Sequence, residues 1–238
     1  MHPDPAMRDT PSSSFGGERS GASVRGRRLT VAPEAVPSKM RGNRPWRGRN
    51  VRGVPEPLLV SFVGGDDGAW RVERITPVTG LGLAPVTRLA VFEGRVADAP
   101  SPAWVLRGVT SNERYVESHE RAALRERQQG LGRAAATCAA LIPITKTSAW
   151  WELTQDERRA IFETRSAHIA VGLAYLPQVA RRLHHGRDLG EEFDFLTWFE
   201  YAPEHADAFE ELVGRLRATE EWSYVEREVD VRLTIQPE

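Results

Sequence analysis

Apolar and polar residues alternate in several short stretches after residue 56, which is the pattern of half-buried β-strands. The clearest cases are residues 69–78 (AWRVERITPV) and 87–95 (TRLAVFEGR). The full set of predicted strands comprises residues 57–65, 69–78, 87–95, 103–111, 191–202 and 222–235. Residues 140–147 are apolar and short but contain a proline, which predicts an edge strand or an extended connection.

Three other segments have the features of helices. Residues 116–129 are highly charged and end at glycines. A second helix begins after Thr154, because Glu157 three residues later completes a capping box. Residues 203–219 form the third, with Pro203 at its start. Helices thus return repeatedly to a mainly antiparallel sheet, and this order predicts an α+β fold of ferredoxin-like character.

The second helix leads into HIAVGLAYLPQVARRLHH, residues 168–185. His168 lies in its apolar stripe, and the close approach of a flat group would justify the helix-weakening Gly172 one turn later. Pro177 predicts a break and the start of a second short helix. His168 and Arg181 would be about 20 Å apart on a continuous helix. A bend at Pro177 would let them reach opposite faces of a wide, planar ligand, although a simple kink with solvated arginines is an alternative.

The other histidines of this segment, His184 and His185, have a simpler interpretation. Adjacent side chains on a helix point about 100° apart, so they make a poor chelating pair. A position near a helix C-terminus also stabilises charged histidine. A metal site there would need further ligands, and the helix end is sufficient to explain both histidines.

Composition narrows the possible functions. The net charge of −1 argues against a general nucleic-acid binder. The sequence contains no run of 18 or more apolar residues, so no membrane span is predicted. Cys138 is the only cysteine, which excludes an intramolecular disulfide and cysteine-based metal sets. Residues 1–54 carry 11 Lys+Arg against 4 Asp+Glu, a net +7, and the remainder 21 against 29, a net −8. We predict a disordered tail over 1–54 and a folded domain over 55–238.

The tail also bears on location. It has no apolar core of a secretory signal, so a cytoplasmic protein is expected. Its arginine- and serine-rich composition is also found in transit peptides, and Met40 is an alternative start.

Three segments, RGVTSNERY, KTSAWWELTQDER and HIAVGLAYLPQVARRLHHGRDLGEEFDFLTWFE, together resemble the chlorite dismutase family in their order. The resemblance covers about residues 57–235. It implies a ferredoxin-like, dimeric α+β barrel that binds haem b. It also implies conversion of the small anion chlorite to chloride and dioxygen through a ferryl intermediate and hypochlorite. The 238 − 55 = 183 residues after Pro55 resemble the short-subunit branch, whose members form homodimers.

The resemblance also implies roles for individual residues. His168 would be the iron ligand, and Arg181, thirteen residues later, the catalytic arginine. Glu221 would accept a hydrogen bond from the ligand histidine, with the neighbouring Glu220 as the alternative. Further haem contacts would come from Tyr115, Lys146 and Trp150, with Lys146 as a partner for a propionate and with Asn112 and Trp151 as additional candidates.

Other functions stay open at this point. A coproheme decarboxylase would use the iron porphyrin as substrate; such proteins generally lack the distal arginine, so Arg181 favours chlorite conversion while Tyr115 keeps the alternative open. A haem-binding protein without turnover would have no use for Arg181 and Glu221. An α+β barrel that binds a different ligand is the remaining alternative.

Overall fold

The computed structural model describes residues 57–95, 102–110, 118–127 and 129–236. The strands in these residues are β1 (Leu59–Gly65), β2 (Trp70–Thr79), β3 (Arg88–Glu93), β4 (Trp104–Thr110), β5 (Cys138–Lys146), β6 (Ala180–His185), β7 (Phe195–Tyr201) and β8 (Val225–Thr234). They close into one barrel in the order β1–β3–β2–β8–β5–β7–β6–β4, and the pairs are antiparallel. The predicted tail over 1–54 lies outside the described residues and stays a prediction.

The strands present one apolar face to the barrel interior and another to the outside. Pairing aligns Leu141, Trp198 and Val231 in one row, and all three are buried in the inner core. Because side chains alternate along a strand, the preceding Ala140 and the following Phe199 face outward. Both belong to a second buried cluster on the outer surface of the barrel.

Helices cover this outer cluster. The α-helices of the described residues are α1 (Ser118–Arg127), α2 (Ser148–Glu152), α3 (Gln155–Arg159), α4 (His168–Ala174) and α5 (Ala206–Arg217). Val171 of α4 and Phe209 of α5 are buried against β5 and β7, and the ring of Phe209 lies 5.2 Å from that of Phe199. Strands with helices on the outside confirm the predicted α+β class. No helix within the described residues is long and apolar enough to span a membrane.

The predicted helix after Thr154 is present but interrupted. The Glu157 carboxylate accepts the Thr154 N–H at 2.7 Å, so the predicted capping box begins α3. Residues 160–165 then form a π-helical segment. Ala167 has a left-handed φ of 50°, which separates that segment from α4. His168 is therefore the first residue of a new helix rather than the middle of a long one.

Two predicted elements are wrong. Residues 177–185 contain no second helix: after a turn, residues 180–185 form β6, which pairs with β7 and at its end with β4. These tertiary hydrogen bonds override the local helical pattern. Residues 140–147 are no edge strand, because β5 pairs with β7 on one side and β8 on the other. Pro143 is tolerated where pairing with β8 passes from Leu141 to Ile144.

His184 consequently lies inside the barrel instead of at a helix end. Its side chain is fully buried, its Nδ1 lies 3.1 Å from the Leu196 carbonyl and its ring contacts Phe62 edge-on. Burial lowers the pKa of His184 to about 4. The buried imidazole therefore stays neutral where an exposed histidine would be protonated.

This burial predicts an acid-sensitive fold. Between pH 6.5 and 4 the unfolded chain binds a proton at His184 that the folded chain does not, so the free energy of unfolding falls as pH falls. The difference amounts to about 3 kcal/mol. His184→Gln retains an amide donor for Leu196 but cannot titrate, so its stability should depend less on pH in this interval. Urea unfolding at pH 7 and pH 4.5 measures this, and an equal loss in both proteins would contradict it.

Candidate functional site

A histidine–carboxylate pair stands at the start of α4. His168 Nδ1 lies 2.7 Å from Glu221 Oε2, and the Glu221 side chain is 6 % exposed against 20 % for His168. A carboxylate at this distance holds the proton on Nδ1, which leaves Nε2 as the nitrogen with a free lone pair. The Phe162 ring stacks on the imidazole, with centroids 4.3 Å apart. The ring therefore has a fixed tautomer and a fixed orientation.

Glu221 is in turn held by two other residues. Lys146 Nζ donates to Glu221 Oε1 at 2.9 Å and to its main-chain carbonyl at 3.2 Å. The Ser166 hydroxyl accepts the Glu221 N–H at 3.0 Å. Burial raises the pKa of Glu221, but the charges of His168 and Lys146 outweigh this and hold it well below its usual value. The carboxylate is thus ionised and available as an acceptor for the imidazole.

Lys146, whose expected contact with a haem propionate stays a prediction, forms an ion pair within the protein. Its ammonium group is buried, and Glu221, a carboxylate of the protein, matches its charge. The same ammonium lies 4.7 Å from the centroid of the Trp150 ring. Glu220, the alternative to Glu221, pairs with Arg165 at 3.3 Å instead.

Arg181 reaches the same helix from β6. It is paired with Phe199 across the β6–β7 ladder, so it faces outward toward α4 while the next residue, Arg182, faces the interior with Trp198. A Cβ added to Gly172 would lie 2.1 Å from Arg181 Nη1 and 2.4 Å from its Cζ. The flat guanidinium therefore lies against α4 one turn after His168. Burial lowers the pKa of Arg181, and the charge of Glu163 partly opposes this.

We predict that Gly172 is a steric requirement of the site, because an added Cβ would force the end of the Arg181 side chain to shift. Gly172→Ala should displace the guanidinium of Arg181, because the added methyl group occupies its space. The same change raises helix propensity by up to about 1 kcal/mol. We expect a thermal midpoint equal to or above that of the original protein together with weaker binding of small anions at the site. Gly214→Ala in α5 is the matched control, since an added Cβ there meets nothing within 4 Å. Unchanged anion binding in Gly172→Ala would contradict this requirement.

Glu163 caps α4 from the preceding π-helical segment. Its two carboxylate oxygens accept the N–H groups of Ile169 at 2.7 Å and Ala170 at 3.3 Å. These amides belong to the first turn of the helix, and Ala167 has no side-chain acceptor for them. The sequence did not indicate this role, because a cap normally stands directly before its helix. Glu163 thereby stabilises the turn that carries His168.

The two tryptophans of α2, Trp150 and Trp151, differ in solvent exposure. Trp150 is 2 % exposed, and its buried Nε1–H has no hydrogen-bond partner among the described residues. Trp151 is half-buried and donates from Nε1 to Asp194 at 3.3 Å. Tyr115 and Asn112 lie outside the described residues, so their expected haem contacts stay predictions. The structure thus links Trp150, Lys146, Glu221 and His168 through successive contacts, and it places Arg181 against α4 at Gly172.

Comparison with known proteins places this arrangement in a family. The family model described as chlorite dismutase matches residues 87–236, which is more than half of the chain. The structure of a dimeric chlorite dismutase from Nitrobacter winogradskyi is 60 % identical, with a TM-score of 0.69, over 74 % of this chain and 99 % of that one. The chain therefore belongs to the chlorite dismutase family.

Two further relatives extend the comparison. A chlorite dismutase from Ideonella dechloratans is 39 % identical over 62 residues, which are 26 % of this chain and 20 % of that protein. The chain thus matches about a fifth of the length of that curated relative. A mutant chlorite dismutase from Candidatus Nitrospira defluvii, in complex with cyanide, has 20 % identity and a TM-score of 0.54, over 76 % of this chain and 91 % of that one. This last likeness concerns the fold alone.

Proposed function

We propose that this protein binds haem b and converts chlorite to chloride and dioxygen. The observation that carries the proposal is the pairing of His168 with Glu221 at one end of α4 and the approach of Arg181 to the same helix. An axial ligand and a cation for an anionic substrate are the two groups that such a reaction requires of a protein. Family membership supports the same activity.

The residues present suit a haem. His168 offers Nε2 to iron, since Glu221 engages Nδ1, and a carboxylate behind a ligand histidine strengthens the imidazole as a donor. The buried Nε1–H of Trp150 has no acceptor within the part of the chain that the structure describes, and a haem carboxylate is a group that could accept it. Lys146 would act indirectly, by keeping Glu221 ionised.

In the proposed reaction the chain supplies charge and orientation. Arg181 attracts chlorite and donates hydrogen bonds to its oxygens, because a guanidinium stays protonated even when burial lowers its pKa. It also retains the hypochlorite left after the first Cl–O bond breaks, until the second Cl–O bond breaks, the two oxygen atoms join as dioxygen and chloride leaves. Glu221 keeps the proton on His168 Nδ1 throughout. When bound, the haem iron supplies the electrons for cleavage of the Cl–O bond.

Assembly as a homodimer belongs to the same proposal. It is supported by the 60 % identical relative, which is described as dimeric and is covered over 99 % of its length. Light scattering at several protein concentrations measures the subunit number.

The activity is tested by reconstituting the protein with haem and adding chlorite while an oxygen electrode records the solution. We expect a Soret band on reconstitution and one dioxygen for each chlorite consumed. A haem-loaded protein that releases no dioxygen would refute chlorite conversion. If it instead removes carboxyl groups from coproheme, the decarboxylase alternative is correct; the location of Arg181 argues against that outcome.

A further inference from the structure

Arg133 forms hydrogen bonds with the turn between α4, which carries His168, and β6, which carries Arg181. From this geometry we infer that Arg133 is a positioning residue, which fixes where β6 begins and thereby where Arg181 lies relative to His168. The inference rests on the proposed function, because it concerns the placement of the arginine that would bind chlorite.

The guanidinium of Arg133 donates to three main-chain carbonyls. Nη1 donates to Pro177 O at 3.1 Å, and Nη2 donates to Gln178 O at 3.1 Å and to Glu200 O at 3.2 Å. A further bond from Nη1 to Gln129 Oε1 at 3.0 Å orients the side chain. The planar fork of an arginine can span several acceptors in this way, whereas the single ammonium of a lysine cannot reach them all.

The positions of the three carbonyls determine where β6 begins, so a shift of the backbone there would move Arg181. Pro177 and Gln178 belong to the turn between the end of α4 and the start of β6. Glu200 is the partner of Ala180 in the β6–β7 ladder, and Arg181 is the next residue. The Arg133 guanidinium thus joins the turn to β7, the strand with which β6 pairs. Loss of the bonds would free the turn and change the angle at which Arg181 approaches α4.

A second contact strengthens the same junction. The Gly132 N–H donates to the side-chain carboxylate of Glu200, which also accepts the Trp198 indole N–H at 2.9 Å. The segment before β5 is therefore attached to the end of β7 at two adjacent residues, Gly132 and Arg133. Arg133 extends this attachment to the turn after α4.

The test uses the haem-loaded protein and fluoride, a small anion that binds ferric haem and accepts hydrogen bonds. Arg133→Ala should keep the Soret band, because His168 and Glu221 are untouched. We expect its fluoride affinity to fall about 10-fold and its chlorite kcat/KM about 10- to 100-fold, which is the effect of displacing a positioned group by about an ångström. The fluoride affinity and kcat/KM of Arg133→Lys should lie between those of the original protein and those of Arg133→Ala.

A double-variant cycle separates positioning from general stability. If Arg133 acts through Arg181, the combined Arg133→Ala and Arg181→Ala protein should be no worse than Arg181→Ala alone. The matched control is Arg227→Ala, since Arg227 also donates to two main-chain carbonyls, of Leu81 and Gly82, which belong to the segment between β2 and β3. It should lower the thermal midpoint and leave fluoride affinity unchanged.

Several outcomes would overturn the inference. They are wild-type fluoride affinity in Arg133→Ala, losses that add in the double variant, or an equal loss of fluoride affinity in Arg227→Ala. If Arg133→Ala does not fold, Arg133→Lys decides, and wild-type affinity in that variant would count against the inference. A different result, in which Arg181→Ala itself changes neither fluoride affinity nor turnover, would refute the proposed function instead.

Discussion

His168→Ala should abolish stable haem binding. In the proposed iron ligand, His168, one ring nitrogen is engaged by the buried carboxylate of Glu221, which leaves the other nitrogen for iron. His184 lies in the barrel interior and bonds Leu196, so it cannot replace the ligand without unfolding β6. Titration of the variant with haem should show no Soret band like that of the original protein, and haem should pass rapidly to an acceptor protein.

Two additional measurements make this result specific. Added imidazole should restore part of the Soret band in His168→Ala, because the small molecule fits the space left by the side chain. The control His205→Ala alters a half-buried histidine just before α5 and should bind haem normally. An unchanged Soret band in His168→Ala would end the assignment of His168 as ligand.

Arg181→Ala should reduce chlorite turnover about 10²- to 10³-fold while haem stays bound. Removal of one donor that stabilises a developing anion has an effect of this size in other enzymes. The loss should be mainly in kcat/KM, because the guanidinium both attracts chlorite and holds the released hypochlorite. Stopped-flow oxygen measurement over a range of chlorite concentrations separates kcat from KM.

Arg182 provides the control for this variant. It is the next residue in β6 and faces the barrel interior, so Arg182→Ala removes the same charge from the same strand on the opposite face. Its turnover per bound haem should remain close to the original. Equal losses in the two variants would mean that overall charge, rather than the placement of Arg181, determines the activity.

The parts of the fold that depend on local pattern were predictable. Strands β2 and β3 alternate in sequence, and α3 begins at the predicted capping box. Strand β6 was not predictable, because ARRLHH lacks alternation and forms a strand only through its pairing with β7 and β4. Its two histidines were interpreted as helical for the same reason.

The site was predictable in its residue types but not in its connections. The resemblance to a family placed His168 and Arg181, and it singled out Glu221 with Glu220 as the alternative. The contact between Lys146 and Glu221 joins residues 75 apart in sequence, and Arg133 reaches Pro177 across 44 residues. Spacing along the chain has no information on such contacts, so only the folded arrangement identifies them.

Successive side chains of β6 point to opposite faces of the sheet. The number of residues between α4 and β6 therefore decides which arginine faces α4. Insertion or deletion of a single residue there, with the pairing to β7 shifted by one, would turn Arg182 outward and Arg181 into the interior. After an insertion the outward guanidinium would stand opposite Thr197 instead of Phe199, and after a deletion Arg182 would stand opposite Phe199, where Arg181 lies in the original chain. A one-residue insertion at residues 175–179 should therefore abolish function, whereas a one-residue deletion should keep an arginine at the site, because Arg182 then replaces Arg181.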